Sequence, residues 1–297
     1  MQLHGVYAAI PTAFGADFAL ALPELRANVR AWNRFELQGL LVLGSTGEFV
    51  HLNRDEKLQL IECVRDEMAP GRRLLAGTGC PTTAETIALT RASAQAGADL
   101  AVVIHPNYYR AMMTDAALLR FYQEVADASP IPVLVYNMPG CTGMDLSAEL
   151  LIRIGGHENI VGWKDSGSNL PKMKAVIAEM GARFELLIGS ASLLLDALSI
   201  GAAGGILALA NIAPRECVEL KQLCAAGKRD AAQTLQQRLT PINQAVTAKF
   251  GIAGLKVALD ALGLYGGPVR QPLLGLDAAA RLELANVLRA GELTSLT

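Results

Sequence analysis

The chain has 297 residues, of which 52% are hydrophobic, 18% charged and 5% aromatic, so its apolar content is mainly aliphatic and suits one large buried core. The net charge is −2 and the basic residues are scattered singly, which excludes the continuous basic surface that binds nucleic acid or an acidic membrane. The five cysteines form no Cys-x-x-Cys motif, so a disulfide framework and a zinc ribbon are disfavoured, and reduced thiols in a cytoplasmic protein are predicted.

Short aliphatic runs recur along the chain, each bounded by Gly, Pro or polar residues. Eight of them lie at residues 6–10, 39–43, 73–77, 99–104, 132–136, 160–164, 185–189 and 205–209. They are continuously apolar rather than alternating in polarity, which is typical of strands buried on both faces of a parallel sheet. The uncharged stretch at 197–214 approaches the length of a membrane span, but its glycines break it, so we interpret it as a helix end followed by the last strand.

Segments of helical length and helical apolar spacing separate these runs. They cover residues 22–35, 54–68, 83–96, 115–128 and 147–154. Asp115 and Ser147 are predicted as N-caps of two of these helices. Gly39, Gly97 and Gly201 each lie between a helix and the next strand, where a left-handed C-terminal residue is expected.

Eight strand–helix units favour a closed barrel over an open doubly wound sheet, because eight parallel strands close around a filled interior. After residue 213 the strand pattern stops. Helices are predicted at 214–227, 230–249, 252–262 and 277–289. The predicted fold class is therefore α/β: a (β/α)₈ TIM barrel over residues 1–213, with a C-terminal helical extension over residues 214–297 packed on it.

In such a barrel the active site lies at the C-terminal ends of the strands, so the polar residues that end the runs are its candidates. Lys164 ends the sixth run, where burial favours the neutral amine that attacks ketones. The residues alone leave another interpretation open, in which this lysine faces solvent or pairs with Asp165. Tyr136 ends the neighbouring fifth run, where it is either a proton shuttle for Lys164 or a core tyrosine with a satisfied hydroxyl.

The turn at 44–47 offers backbone N–H groups and the hydroxyls of Ser45 and Thr46, a combination suited to holding a carboxylate, although this sequence also occurs in ordinary loops. No glycine-rich nucleotide motif follows a strand. The four histidines are widely separated and lack metal-ligand spacing, so no metal site is predicted. His105, at the end of the fourth run, is expected to have a structural or supporting role.

Four motifs together resemble the family of dihydrodipicolinate synthase and N-acetylneuraminate lyase, in order and spacing, over nearly the whole chain. They lie at 44–48, 108–109, 136–140 and 162–166. The resemblance implies that Lys164 forms a Schiff base with pyruvate or another 2-oxo acid. It implies that Tyr136 is the proton shuttle and contacts the substrate carboxylate, and that Ser45 and Thr46 hold that carboxylate, with Ser45 linking Tyr136 into a proton relay.

The resemblance also implies an assembly and a substrate pocket. Tyr108 would be a relay tyrosine contributed to the site of an adjacent subunit in a homotetramer, a dimer of dimers. Gly189 and Ile206 would line the pyruvate pocket with their backbone. No cofactor or metal is expected, because a cationic iminium is itself the electron sink.

One departure from the family pattern narrows the range of candidate substrates. Dihydrodipicolinate synthases usually carry an arginine where this chain has Cys141, and that arginine binds the carboxylate of aspartate semialdehyde. Further motifs at 76–80, 106–110, 162–167, 249–256 and 265–268 are most similar to 4-hydroxy-2-oxoglutarate aldolases. Those enzymes generally have an asparagine where this chain has Thr46, and Ser166 is the candidate for contacting the far end of the substrate.

The prediction is therefore a class I aldolase that cleaves 4-hydroxy-2-oxoglutarate to pyruvate and glyoxylate. Two alternatives are condensation of pyruvate with aspartate semialdehyde and cleavage of a 2-keto-3-deoxy sugar acid. A third, from a different class, is a non-catalytic protein that binds 2-oxo acids. The presence of Lys164, Tyr136, Ser45 and Tyr108 argues against this third alternative, since a binding protein has no use for a reactive amine with a proton relay.

Overall fold

The computed structural model describes residues 2–296 and contains a closed barrel of parallel strands. In chain order the strands are β1 Gly5–Ala9, β2 Gly39–Val42, β3 Arg73–Gly77, β4 Leu100–Ile104, β5 Val133–Asn137, β6 Ile160–Asp165, β7 Glu185–Ile188 and β8 Gly204–Leu207. Each strand pairs with the next, and β8 pairs back to β1. Every predicted run overlaps one of these strands, so the (β/α)₈ prediction is confirmed.

Helices surround the barrel and continue beyond it. They are α1 Leu22–Trp32, α2 Arg54–Glu67, α3 Thr83–Gln95, α4 Asp115–Ala128, α5 Pro139–Thr142, α6 Ala148–Ile154, α7 Leu170–Met180, α8 Leu194–Ser199, α9 Pro214–Ala225, α10 Arg229–Gln244, α11 Gly251–Ala261 and α12 Ala278–Ala290. The helix predicted over 230–249 ends earlier, at Gln244, and a π-helical turn, Ala245–Lys249, joins α10 to α11. No helix within residues 2–296 meets the length and apolarity needed to cross a membrane.

Local hydrogen bonds explain where several helices begin. Ser147 caps α6 as predicted, because its hydroxyl accepts a hydrogen bond from the Leu150 N–H at 3.1 Å. The cap predicted at Asp115 is wrong by one residue. Thr114 has the extended backbone of an N-cap and accepts from the Ala117 N–H at 3.3 Å, whereas Asp115 already lies in the first turn of α4.

Two of the three glycines predicted to end helices have the expected left-handed backbone. Gly97 has φ +101° and Gly201 has φ +103°, a region that residues with a side chain rarely adopt. Gly39 does not, and that prediction is wrong. It is the first residue of β2, where a Cβ atom would lie 2.0 Å from the carbonyl oxygen of Arg73 in β3. The glycine is therefore required by close approach of two strands.

Two apolar cores follow from the alternation of side chains along the strands. One fills the barrel and includes Leu41, Leu75, Leu134 and Leu187. The larger one lies between the strands and the helices, where Trp163 stacks on Phe184 with ring centroids 4.8 Å apart. Because Trp163 points outward from β6, the next residue along the strand, Lys164, points into the barrel.

The segment after β8 packs on the barrel by apolar and polar contacts. Helix α9, the first helix of the predicted extension, lies against β1 and α8. Helix α10 is bound to the loop after β7 and to the start of α8, because Gln236 donates to the Ala191 carbonyl at 2.9 Å and accepts from the Leu195 N–H at 3.1 Å. This packing brings the π turn and the start of α11 over the open end of the barrel.

Candidate active site

A cavity of about 600 Å³ opens at the C-terminal end of the barrel. Every site residue predicted from the sequence lines it, except Tyr108. These are Ser45, Thr46, Tyr136, Lys164, Ser166, Gly189 and Ile206. A concave site with a few converging polar groups at this end of a barrel is the expected form of an enzyme active site.

Lys164 lies deep in the cavity wall with 4% of its surface exposed. It pairs in register with Tyr136 of β5, and its Nζ lies 4.2 Å from the centroid of the Tyr136 ring. Within residues 2–296 its side chain has no hydrogen bond or ion pair. It is also the only charged side chain that lines the cavity in the described part of the chain. The amine is therefore buried, near a phenol, and free of a neighbouring carboxylate.

The alternative pairing of Lys164 with Asp165 is absent from the structure. Asp165 points to the opposite face of β6 and is fully buried there. Its carboxylate lies 3.1 Å from the Nζ of Lys172 on α7 and accepts a hydrogen bond from the Asn137 amide at 3.0 Å. The two neighbouring residues of β6 thus face separate environments.

Tyr136 and the turn after β2 meet on one side of the cavity. The Tyr136 hydroxyl lies 3.4 Å from the Ser45 hydroxyl, and either can donate. The turn, Ser45–Gly47, is a single 3₁₀ turn, so the N–H groups of Ser45 and Thr46 at its start have no backbone partner. It ends at Glu48, a non-glycine residue with a left-handed backbone, φ 54°. Paired hydroxyls and free N–H groups are the donors that a carboxylate accepts.

The opposite side of the cavity is formed by the ends of β6, β7 and β8. Ser166 lies directly on Gly189, since a Cβ atom at Gly189 would be 2.0 Å from the Ser166 Oγ. The Gly189 N–H donates to the Asp165 carbonyl at 2.7 Å, which fixes the two loops relative to each other. Ile206, in β8, is fully buried and borders the cavity floor.

A single chain does not bring Tyr108 to this site. Its side chain is 85% exposed and packs edge-on against Tyr109, with ring centroids 5.1 Å apart. His105, in the same loop, is buried, and burial lowers the pKa of its imidazole below the usual range. It does not line the cavity. No three His, Cys, Asp or Glu side chains are arranged to hold a metal ion within residues 2–296.

Sequence reasoning missed the outer wall of the cavity. That wall comes from the π turn, the start of α11 and the segment after Pro268. Its residues are Val246, Thr247, Ala248, Phe250, Gly251, Ile252, Ala253, Val269, Leu273 and Leu274. A search limited to the strand ends does not find these residues, because their position depends on how the C-terminal extension packs on the barrel. One signal was present, since Pro241 lies inside the predicted helix over 230–249 and a proline within a helix often marks a bend.

Comparison with known proteins agrees with this geometry. A model of the dihydrodipicolinate synthetase family matches residues 2–291. A probable mitochondrial 4-hydroxy-2-oxoglutarate aldolase from Emericella nidulans is 38% identical over 277 residues, or 90% of this chain and 88% of that protein. The L-threo-3-deoxy-hexylosonate aldolase of Hypocrea jecorina is 35% identical over 289 residues, or 93% of this chain and 91% of that protein.

A solved structure has the same fold as this chain and contains bound pyruvate. YagE, a prophage protein of E. coli K12 crystallised with pyruvate, superposes with a TM-score of 0.92 at 30% identity, over 99% of this chain and 100% of that one. The chain is therefore a pyruvate-dependent class I aldolase, a carbon–carbon lyase, and it belongs to the dihydrodipicolinate synthetase family.

Proposed function

We propose that this protein cleaves 4-hydroxy-2-oxoglutarate to pyruvate and glyoxylate, with Lys164 as the Schiff-base nucleophile. One observation carries the proposal: a buried amine without a counter-ion lies against the Tyr136 ring, beside a turn whose first N–H groups have no backbone partner and whose hydroxyls can bind a carboxylate. The Emericella nidulans relative, named for cleavage of this substrate, supports the choice within the family.

The reaction follows from the positions of these groups. Lys164 attacks the C2 carbonyl and water leaves, which gives a cationic iminium that withdraws electrons from C3. Tyr136 donates its phenol proton to the hydroxyl that leaves as water. The resulting phenolate then removes the proton of the 4-hydroxyl, so the C3–C4 bond breaks and glyoxylate departs. The enamine takes a proton at C3, and water then releases pyruvate and restores the amine. The Tyr136–Ser45 contact gives the proton a route toward the turn that holds the carboxylate.

In this proposal the remaining predicted residues bind and enclose the substrate. Ser45 and Thr46 hold the C1 carboxylate, Gly189 and Ile206 border the pyruvate half, and Ser166 contacts the far end. Tyr108 would enter the relay from a second copy of the chain, which accounts for a large aromatic side chain that is exposed in a single chain. The homotetramer and the cytoplasmic location stay predictions.

A second candidate is favoured by the polar lining of the cavity. Beyond Lys164 the lining offers the hydroxyls of Ser166, Ser190 and Thr247 and no second cation within residues 2–296. Hydroxyl groups suit a polyhydroxylated chain as well as a carboxylate, and the Hypocrea jecorina relative is named for a deoxy sugar acid. Cleavage of a 2-keto-3-deoxy sugar acid is therefore the second candidate. Condensation with aspartate semialdehyde ranks third, because Cys141 supplies no cation at the rim.

Two measurements test the proposal. Incubation with pyruvate and borohydride should leave a reduced mass adduct on Lys164, and the Lys164→Ala variant should fold but gain none. Turnover should then be compared for 4-hydroxy-2-oxoglutarate, a 2-keto-3-deoxy hexonate and aspartate semialdehyde with pyruvate. Absence of the adduct would refute the mechanism, and faster turnover of either other substrate would refute the substrate.

A further inference from the structure

A buried charge network lies directly behind the two central residues of the cavity. The residue after Tyr136 in β5 is Asn137, the residue after Lys164 in β6 is Asp165, and these two also pair in register. Both are fully buried on the outer face of the barrel. The network therefore occupies the other side of the same two strand ends.

Asp165 is the centre of this network, and both oxygens of its carboxylate accept hydrogen bonds. One oxygen accepts the Gly167 N–H at 2.8 Å. The other accepts the Asn137 amide at 3.0 Å and lies 3.1 Å from the Nζ of Lys172. A buried carboxylate needs such donors and a counter-charge, since burial without them is costly.

Lys172 supplies the only positive charge in the network among the described residues. It projects from the first turn of α7, its side chain is 5% exposed, and it pairs with both Asp165 and Asp145. The Asn137 amide also donates to Asp145 at 2.7 Å. One ammonium thus serves two carboxylates, of which Asp145 is 40% exposed and screened by solvent, whereas Asp165 is not exposed.

We propose that Lys172 is a positioning residue: it holds the charge of Asp165 on the outer face of β6, which leaves the adjacent Lys164 amine without a carboxylate partner and free to react. This rests on the proposed role of Lys164. Without Lys172, the Asp165 carboxylate loses the one cation that pairs with it among the described residues, and the preceding residue of β6 is the cation Lys164. An amine that keeps its proton cannot attack a carbonyl.

The same network fixes geometry as well as charge. The Leu146 N–H donates to Asn137 Oδ1 at 3.1 Å, and the Ser166 N–H donates to the Asn137 carbonyl at 2.9 Å. Asn137 is therefore bonded on both its side chain and its backbone to segments that follow β5 and β6. These bonds hold the register in which the Tyr136 ring lies beside the Lys164 amine.

Within residues 2–296, no charged side chain other than Lys172 forms an ion pair with Asp165. On the cavity side β5 contributes the phenol of Tyr136, and in register on β7 the partners of Lys164 and Asp165 are the apolar Leu187 and Ile188. On the outer side the titratable groups are Lys172 from α7 and Asp145 from the segment before α6. A change in pH dependence that Lys172→Met causes and that the added Asp165→Asn reverses is therefore traced to Asp165 and Lys164 rather than to Asp145.

The test measures the rate of borohydride trapping with pyruvate per folded protein, across pH 6.5–9.5, together with the melting temperature. Lys172→Met should slow trapping about tenfold near pH 7, and the deficit should narrow as pH rises, because high pH removes the amine proton whatever its neighbour. The double variant Asp165→Asn/Lys172→Met removes both charges and should restore the rate to within about threefold of wild type. Lys174→Met, on the exposed face of α7, is the matched control and should change nothing.

The outcomes separate this inference from the proposed function. If wild type gains no adduct, the proposed function fails first. If wild type reacts and Lys172→Met traps at the wild-type rate, or if the double variant is as slow as the single one, Lys172 has no positioning role. If Lys172→Met does not fold, the comparison of wild type with the double variant decides, since a slow double variant with a normal melting temperature contradicts the inference.

Discussion

Replacement of Lys256 by methionine tests a second buried ion pair, which joins the turn after β2 to helix α11 of the C-terminal extension. Lys256, on α11, and Glu48, at the end of the turn after β2, are 1% and 0% exposed, with Nζ 2.6 Å from Oε1. The ammonium also donates to the Pro268 carbonyl at 2.7 Å and lies over the Phe14 ring. Burial lowers the pKa of Lys256, and Glu48 opposes that shift.

The expected loss of unfolding free energy depends on the contacts that the Glu48 carboxylate keeps in the variant. Removing one partner of a buried pair costs roughly 3–5 kcal/mol, because the other charge is left uncompensated. In Lys256→Met the Glu48 carboxylate keeps the Arg270 N–H at 2.8 Å and the His51 ring nitrogen at 3.6 Å. Methionine also preserves most of the aliphatic stem, so we expect a loss near the lower limit, about 3 kcal/mol.

Urea denaturation followed by circular dichroism, at fixed protein concentration, measures this loss. The double variant Glu48→Gln/Lys256→Met should recover most of it, because replacing both charges of a buried pair is often close to neutral. Lys249→Met is the control, since it removes an exposed ion pair with Glu283 and should cost less than about 1 kcal/mol. A loss in Lys256→Met no larger than in Lys249→Met would refute the reasoning.

Two further predictions concern Gly189 and His105. Gly189→Ala should raise KM for the 2-oxo acid about tenfold or more, because its Cβ would displace the Ser166 hydroxyl. Gly140→Ala is the control: no atom lies within 4 Å of the added Cβ, so KM should not change in the same kinetic assay. Burial lowers the pKa of His105 in the folded protein, whereas in the unfolded chain it is near 6.5. Between these two values the unfolded chain binds more protons than the folded one, so the stability of the protein falls as pH falls. Melting curves from pH 7.5 to 5 should therefore show a shallower decline for His105→Gln than for wild type; parallel curves would contradict this.

The sequence predicted the barrel well because its strands are buried on both faces, so each one is a continuous apolar run. The Lys164–Tyr136 pair was predictable for the same reason, since both residues end neighbouring runs and closure of the barrel brings their ends together. The N-cap of α4 was assigned one residue late because Thr114 and Asp115 are both good caps and only the backbone distinguishes them. Gly39 was misassigned because a left-handed turn and a close strand contact both select glycine.

The remaining features depend on contacts that sequence spacing does not encode. Lys172 reaches back from α7 to a strand end, and nothing in its local sequence distinguishes it from exposed Lys174 on the same helix. The outer cavity wall likewise requires α10 and α11 to be placed on the barrel. Tyr108 is a different case, because no property of one chain determines what an exposed tyrosine contacts.

The cavity has two halves of different origin. Its inner half, with the Lys164 amine, the Tyr136 phenol and the turn after β2, is built by strand ends whose positions the whole barrel fixes. Its outer half is built largely by the π turn, the start of α11 and the segment after Pro268, which contribute none of the groups that react with the oxo acid. We expect substitutions there to alter the space offered to the aldehyde without disturbing imine formation at Lys164. A protein organised in this way can acquire new acceptor substrates by changes near its C-terminus alone, while the pyruvate chemistry stays constant.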